Sequence, residues 1–493
     1  MGQATERKEF TEEDRVRFRD RLGSSLKSLE TLLHRPGFGD GPMSFGAELE
    51  LYIVDRHGRP LPVNKELQQA LGDKQLTLEL NRFNLEYNFS PVLVSDSCFG
   101  KTEAEALSAL SRINTCAQRW QGSVFPIGIL PMLQLSDLGL QAMTDEPRYH
   151  ALTGQLRRIR GGPFGVHIHG EDKIDLEMED VTLEGANTSF QVHLKVKPAE
   201  FADFYNAIQL VTPLVVAISA NSPLLFGKRL WHETRIPLFK QSIDCRKPDP
   251  VHPRPARVNY GNGWVRHGAH ELFAEAVRLH TPVLPVCSEE DPFVVMSAGG
   301  APQLSELRMQ MGTVWLWNRP VYDPADGGHL RIEMRSLPAG PSVKDMMANA
   351  ALMTGLARLL QSSMRDLIPS IPFDYCVRNF YTAAEKGLAA ELIWPSTSQS
   401  EPEYHTASSI LGRLLPMLPR QLAEMGFVET DYMPLLDVIG ARLETRQTGS
   451  QWQLDKLALL QKTLSPQEAL LAMQKEYQRN SLQNVPVAQW GLA

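Results

Sequence analysis

Gly46-Ala47-Glu48-Leu49-Glu50-Leu51-Tyr52-Ile53-Val54 is a short apolar run carrying two carboxylates one residue apart. In an extended strand, residues i and i+2 point to the same face. The spacing therefore predicts a β-strand with Glu48 and Glu50 side by side and Leu49, Leu51 and Ile53 opposite. Two like charges held that close raise each other's pKa unless a cation sits between them. A solvated edge strand carries the same pattern, so its meaning depends on what the rest of the chain brings to it.

Three further stretches bring polar faces. In Leu76 to Pro91, Leu76, Leu78 and Leu80 alternate, as do Leu85, Tyr87 and Phe89, around an Asn81-Arg82-Phe83-Asn84 segment that suits a turn or bulge. Glu79 and Glu86 fall on the side away from the apolar residues. Their seven-residue spacing also fits one face of a helix, but the asparagines and Ser90-Pro91 favour two strands. In Ser189 to Val196, Gln191, His193 and Lys195 share a face. In Leu330 to Arg335, Arg331, Glu333 and Arg335 share one face and Leu330, Ile332 and Met334 the other, a pattern that a surface salt-bridge ladder would also give. Gly165 to His169 has the alternation of a two-His metal strand. Gly227 to Arg235 sets cations beside aromatics, which suits anion binding or a solvated loop.

Around these, helical spacing covers residues 1–35 behind a Thr11 cap, 64–72, 101–120, 199–219 and 269–279. Residues 123–130 read as a strand entering a loop, and Arg157, Arg158 and Arg160 before Gly161-Gly162 as a basic turn. Residues 244–268 lack periodicity and read as a long loop or lid. From Ser342 the chain is mainly helical (342–365, 405–425, 452–478), with a Ser/Pro/Glu-rich linker at 395–404. The expected organisation is a packing helix in 1–40, a catalytic domain in 41–395 and a helical extension in 396–493 packed on that domain.

The 493-residue chain has a net charge of −7, which argues against a broad nucleic-acid or anionic-membrane surface. The most apolar run, Leu210 to Ala220, is too short to span a bilayer. Met1 to Arg19 lacks the apolar core of a signal peptide. Five widely spaced cysteines without a CxxC pair indicate neither a zinc knuckle nor a disulfide framework. A reducing, cytoplasmic setting is expected.

The acids Glu48, Glu50, Glu79, Glu86 and Glu333 offer the oxygen ligands that suit Mg²⁺ or Mn²⁺. Arg235, Arg331 and Arg335 suit phosphate or carboxylate groups. Carboxylates, a divalent metal and arginines on a sheet describe a phosphoryl-transfer or ATP-dependent activation site. The chain has no GxxxxGK[ST] or GxGxxG loop, so a nucleotide would be held through metal.

Taken in order, Gly-x-Glu-x-Glu (46–50), Glu-x6-Glu (79–86), a strand with His193, Ala-Asn-Ser-Pro (220–223) and Arg-x-Glu-x-Arg (331–335) resemble the glutamate–cysteine ligase family. The bacterial carboxylate–amine ligase branch is the nearest. Asn379-Phe380-Tyr381 with Ala383-Ala384 and Gly387-Leu388 resembles that branch's C-terminal helical motif, and the resemblance runs from about residue 44 to 390. It implies an α+β fold like that of glutamine synthetase and the guanidino kinases, a large curved antiparallel sheet forming a funnel with helices on its outer face. It implies that ATP phosphorylates a carboxylate, typically the γ-carboxylate of glutamate, and that an amine such as that of cysteine attacks the acyl phosphate. By position, Glu48, Glu50, Glu79, Glu86 and Glu333 would be metal ligands. His193, with Gln191 and Arg331, would lie beside the metals and nucleotide. Arg235, Arg331 and Arg335 would stabilise the transferring phosphoryl group or hold the substrate carboxylate.

The chain departs from the branch in two places. Gln191 stands where the branch often has the first His of His-x-His, and Trp231-His232-Glu233-Thr234 precedes Arg235 where Gly and Ser are usual. The expected partners are small-molecule acid and amine substrates, with a homo-oligomer left open. A small-molecule kinase on the same fold and a non-catalytic nucleotide-binding protein are the competing readings.

Overall fold

A computed structural model describes residues 7, 9–247, 254–395 and 403–492. In chain order the first strands are β1 (Ser44–Asp55), β2 (Leu76–Leu78), β3 (Asn84–Asn88), β4 (Val92–Leu93) and β5 (Gly122–Phe125). A separate hairpin follows, β6 (Phe164–His169) with β7 (Lys173–Met178), and then β8 (Phe190–Val196). Two short pairs, β9 (Leu224–Leu225) with β10 (Lys228–Arg229) and β11 (Val258–Asn259) with β12 (Trp315–Leu316), precede β13 (Asn318–Asp323) and β14 (His329–Met334).

The main sheet runs β13-β14-β8-β1-β3-β2, with every pairing antiparallel. Strand β1 changes partners along both edges. One edge meets β4 at Ser44 and Phe45 and then β3 from Glu48 to Tyr52. The other meets β8 from Phe45 to Leu49 and then β5 from Tyr52 to Asp55. Splitting both edges of one twisted strand in this way curls the sheet strongly. The alternation of β1 is as expected, with Phe45, Ala47, Leu49, Leu51 and Ile53 buried and the acids on the other face. The apolar sides of β1, β8 and β14 share one continuous core with the helices Phe201–Ser219 and Val343–Gln361. Each fully buried aliphatic side chain there contributes about 1.5–3 kcal/mol.

The N-terminal helix spans Glu12–Leu33, with a Thr11/Asp14 capping box, and buries Phe18, Leu22, Leu29 and Leu32. A second core around Tyr52, Phe125, Trp452, Tyr477 and Trp490 joins β1 and β5 to the helices Gly449–Leu460 and Pro466–Leu482.

Several local expectations change. Arg157, Arg158 and Arg160 form the last turn of a helix, Pro147–Arg160, rather than a basic turn. Their charges suit the helix C-terminus, and Gly161 closes it with φ 79°. All but the last residue of the apolar run belongs to a segment, Pro198–Ser219, that is long and apolar enough to cross a membrane, but its most apolar stretch is 94% buried within the protein. Of the expected linker at 395–404, residues 396–402 lie outside the described residues, and 403–404 belong to the strand Glu403–Thr406, paired with Glu391–Trp394. Of the expected lid at 244–268, residues 248–253 lie outside the described residues, and β11 interrupts the remainder.

Candidate functional site

The polar face of the sheet is laid out by strand register. Glu50 stands opposite Glu86 across β1 and β3, and Glu86 opposite Thr77 across β3 and β2. Glu48 stands opposite Gln191, Gly46 opposite His193, and His193 opposite Glu333. The next row along pairs Lys195 with Arg331.

These registers gather the expected acids into two clusters, Glu50-Glu79-Glu86 and Glu48-His193-Glu333. In each, one potential ligand atom per residue lies within 4.8 Å of the others. The clusters differ in charge balance. Glu333 is fully buried and accepts from Arg319 Nη2 at 2.9 Å and Arg335 Nη1 at 2.7 Å. Burial raises its pKa, but those two guanidiniums hold the carboxyl well below the usual range. His193 Nε2 lies 3.3 Å from Glu48 Oε1 and 4.0 Å from Glu333 Oε1, and neither ring nitrogen has a hydrogen-bond partner among the described residues. Burial pushes the Glu48 carboxyl up, and its contact with His193 more than reverses this, to about 2.

In the first cluster no carboxylate accepts a hydrogen bond from a guanidinium among the described residues. Glu86 accepts from Thr77 Oγ1 at 3.1 Å and Asn88 Nδ2 at 2.9 Å, both neutral donors. Burial and the charges of Glu48 and Glu50 push its carboxyl up to about 7. Burial raises Glu79 too, reinforced by Glu86, Glu50 and Glu184. Glu50 accepts from Ser189 N at 2.6 Å and Gln191 Nε2 at 2.9 Å, and burial still raises it against the pull of Arg335 and Arg235. Three closely set, mutually repelling oxygen donors are a hard-cation site by their chemistry, so the residues present fit Mg²⁺ or Mn²⁺. The second cluster would offer a cation one ring nitrogen of His193 and a Glu48 oxygen, its Glu333 oxygens being already engaged.

Gln191 is held at both ends. Its amide donates to Glu50 and its carbonyl accepts from Arg335 Nη1, so it ties the first cluster to an arginine. Arg235 does not sit in a loop as the sequence suggested. It opens the helix Arg235–Ser242, is 2% exposed, and donates from Nη2 to Ser336 O at 3.0 Å. Its Nε lies 3.0 Å from Glu233, which also accepts from Ser222 Oγ and from Asn221 N at 2.8 Å. The Ala-Asn-Ser-Pro turn thus fixes the carboxylate that fixes Arg235. Asn221 in turn donates to Ala339 O and Tyr477 Oη, both at 2.7 Å, and accepts from Gln453 Nε2 at 3.1 Å. Arg331 stands apart from the other two arginines, half-exposed and paired with Asp323 at 3.3 Å. His167 and His169 are on the separate β6–β7 hairpin, where both contact Asp175.

A cavity opens over the first cluster. Glu50, Glu79 and Glu184 line it, with Arg235 and Arg335 as its cations and Phe239 and Trp317 as its aromatics. Sequence reasoning missed Glu184 and Arg319. Arg319 lay in an unread strand, although Arg319, Val321 and Asp323 alternate with Pro320 and Tyr322 there. Glu184 lies in a one-turn segment, Glu184–Ala186, with no periodic signal.

With this geometry in place, comparison with known proteins gives a family. A model described as glutamate–cysteine ligase family 2 matches residues 44–400, well over half of the chain. The chain belongs to the glutamate–cysteine ligase family 2. Membership places it among ATP-dependent amide-forming ligases. This family 2 chain matches no curated protein sequence. Among solved structures it is similar to the glutamate–cysteine ligase of Francisella tularensis in complex with AMP. That match has 12% identity and a TM-score of 0.46, and covers 92% of this chain and 91% of that one. It is similar to a bifunctional glutathione synthetase of Pasteurella multocida, at 10% identity and TM-score 0.48, covering 95% of this chain but 55% of that one. The Pup ligase PafA, in complex with Pup, shares 9% identity at TM-score 0.41, over 89% of this chain and 72% of that one.

Proposed function

We propose that the protein is an ATP-dependent carboxylate–amine ligase that activates the γ-carboxylate of glutamate as an acyl phosphate and joins it to an amine, cysteine being the first candidate. The observation that carries this reading is one cavity lined by the acids Glu50, Glu79 and Glu184 together with the cations Arg235 and Arg335. A carboxylate is a poor acyl donor because oxide leaves badly, whereas phosphate leaves well. Divalent metal, when bound, would neutralise phosphate charge and withdraw electrons from the bond to the leaving group.

In this reading Glu50, Glu79 and Glu86 hold one cation, and Glu48, His193 and Glu333 approach the phosphates or a second cation. Arg235 and Arg335 stabilise charge on the transferring phosphoryl group or fix the substrate carboxylate, pre-aimed by Ser336, Glu333 and Gln191. Gln191 acts by positioning Glu50 and Arg335. Arg331, paired with Asp323, serves the rim of the nucleotide site. The catalytic unit is taken as 41–395, with 1–40 a packing segment and 396–493 an extension on it. Five free cysteines accord with a reducing, cytoplasmic setting.

The test is ADP release with Mg²⁺, ATP and glutamate, adding amines one at a time, with mass spectrometry of the products. Amine-dependent ADP release with a new amide mass is expected. ADP release with a stable phosphoester and no amide would make the protein a kinase instead.

A further inference from the structure

The cavity holds unused hydrogen-bonding capacity of one kind. Asn84 is 2% exposed and lines it; its Nδ2 donates to Leu51 O at 3.4 Å, and its Oδ1 has no partner among the described residues. Asn187 repeats the arrangement. Its Nδ2 donates to Glu184 O at 2.8 Å, and its Oδ1 is unpartnered among the described residues. The Glu184 carboxylate lines the same cavity and takes part in no hydrogen bond or ion pair among the described residues. The two amide oxygens are acceptors, and so is the Glu184 carboxylate when ionised, its carboxyl being raised to about 8 by burial and the charge of Glu50. A buried acceptor left unpaired costs about 1–3 kcal/mol. A ligand group with several N–H donors and a positive charge suits such a set, and a primary ammonium is that group.

The turn that presents Glu184 is rigidly placed. A Cβ at Gly185 would lie 2.4 Å from Asn81 Nδ2, and that nitrogen is committed to Thr182 O at 2.9 Å. Only glycine lets the turn sit so close, and the contact holds Glu184 over the cavity. Arg235 and Arg335, donors only, line the same cavity and suit an anionic substrate group.

We propose that Glu184, Asn84 and Asn187 form the subsite for the ammonium of the acceptor amine, and that Glu184 takes one of its protons. This rests on the ligase reading above. The amine binds as R–NH₃⁺ and has no lone pair to attack with. Proton transfer to the Glu184 carboxylate gives R–NH₂ and a neutral carboxylic acid. The nitrogen lone pair then forms the C–N bond to the acyl carbon. The C–O bond to phosphate breaks, and the second nitrogen proton goes to the departing phosphate, which leaves as HPO₄²⁻. Glu184 returns its proton to solvent.

Hydroxylamine separates this role from the others, because it is uncharged at neutral pH and attacks acyl phosphates without a base. The probes are hydroxylamine and the amines of the panel above, L-cysteine first. Glu184→Gln is expected to slow amide formation by about 10²-fold or more, the usual worth of a general base. Hydroxamate formation should fall far less, so the ratio of hydroxamate to amide rises by a similar factor. Glu184→Asp, which keeps a carboxylate, should restore part of the amide rate. Equal loss of both products in Glu184→Gln, or an undiminished amide rate, overturns the proposal. A wild type that makes hydroxamate but no amide with any amine also overturns it. A wild type with neither hydroxamate nor glutamate-dependent ADP release removes the ligase reading itself, and the proposal with it.

Discussion

Glu50 and Glu86 face each other as register partners on β1 and β3, and among the described residues neither accepts a hydrogen bond from a guanidinium. Both carboxyls are raised by burial, Glu86 to about 7. A carboxyl raised on folding binds its proton more tightly in the folded protein. Its contribution is complete below the unfolded value of about 4.3 and is lost as pH rises through the folded one. In chelator, the melting temperature should therefore fall between about pH 4.5 and 7.5, and Mg²⁺ should flatten the fall. Thermal melts across that series, with and without Mg²⁺, check both slopes. A flat profile in chelator would mean that these acids do not repel.

Glu86→Gln removes one charge from the trio and keeps the Thr77 and Asn88 contacts in shape. Ligation should drop about 10²-fold or more, as expected for losing electrostatic stabilisation of the transferring group. The same variant should melt higher than wild type in chelator and lose its response to Mg²⁺. Kinetics and paired melts read the two effects separately. A variant that keeps full activity at low Mg²⁺ takes Glu86 out of the site.

Arg319→Met leaves Glu333 fully buried with Arg335 as its remaining guanidinium partner. Breaking a buried charge pair on one side costs about 3 kcal/mol or more. Urea unfolding should show this as a lowered midpoint with an unchanged slope. A loss below about 1 kcal/mol would place the pair among ordinary surface bridges.

Tyr477→Phe removes the oxygen that accepts from Asn221 Nδ2 at 2.7 Å and contacts Pro126 O at 3.2 Å. Stability should fall by about 1–2 kcal/mol. Activity should fall as well, because Asn221 and Ser222 hold Glu233, and Glu233 holds Arg235. Unfolding and kcat measured on one preparation test the linkage. Intact kcat with reduced stability would confine Tyr477 to packing.

The parts of the site that lay open in the sequence were those on regular strands. Alternation put Glu48 with Glu50, Gln191 with His193, and Glu333 with Arg335 on shared faces, and the sheet brings those faces together. Which acids cluster was not readable, because Glu86 meets Glu50 through a register that only the folded sheet defines. Glu184 carries no local pattern; its position comes from Asn81 and Gly185 meeting across the fold. Arg235 looked like part of a loop because it closes a cation-rich run, Gly227 to Arg235, yet it opens a helix that carries Pro237 in its first turn, where proline is tolerated. The helix over 147–160 was obscured by its own arginine-rich last turn.

The clasp on Asn221 has a consequence in time. Its partners follow it by 118, 232 and 256 residues. The turn that ultimately aims Arg235 therefore stays unsettled while most of the sheet can already pair. Two of those three contacts reach further along the chain than any strand pairing in the main sheet, so the aim of Arg235 rests on the longest-range closures around the site.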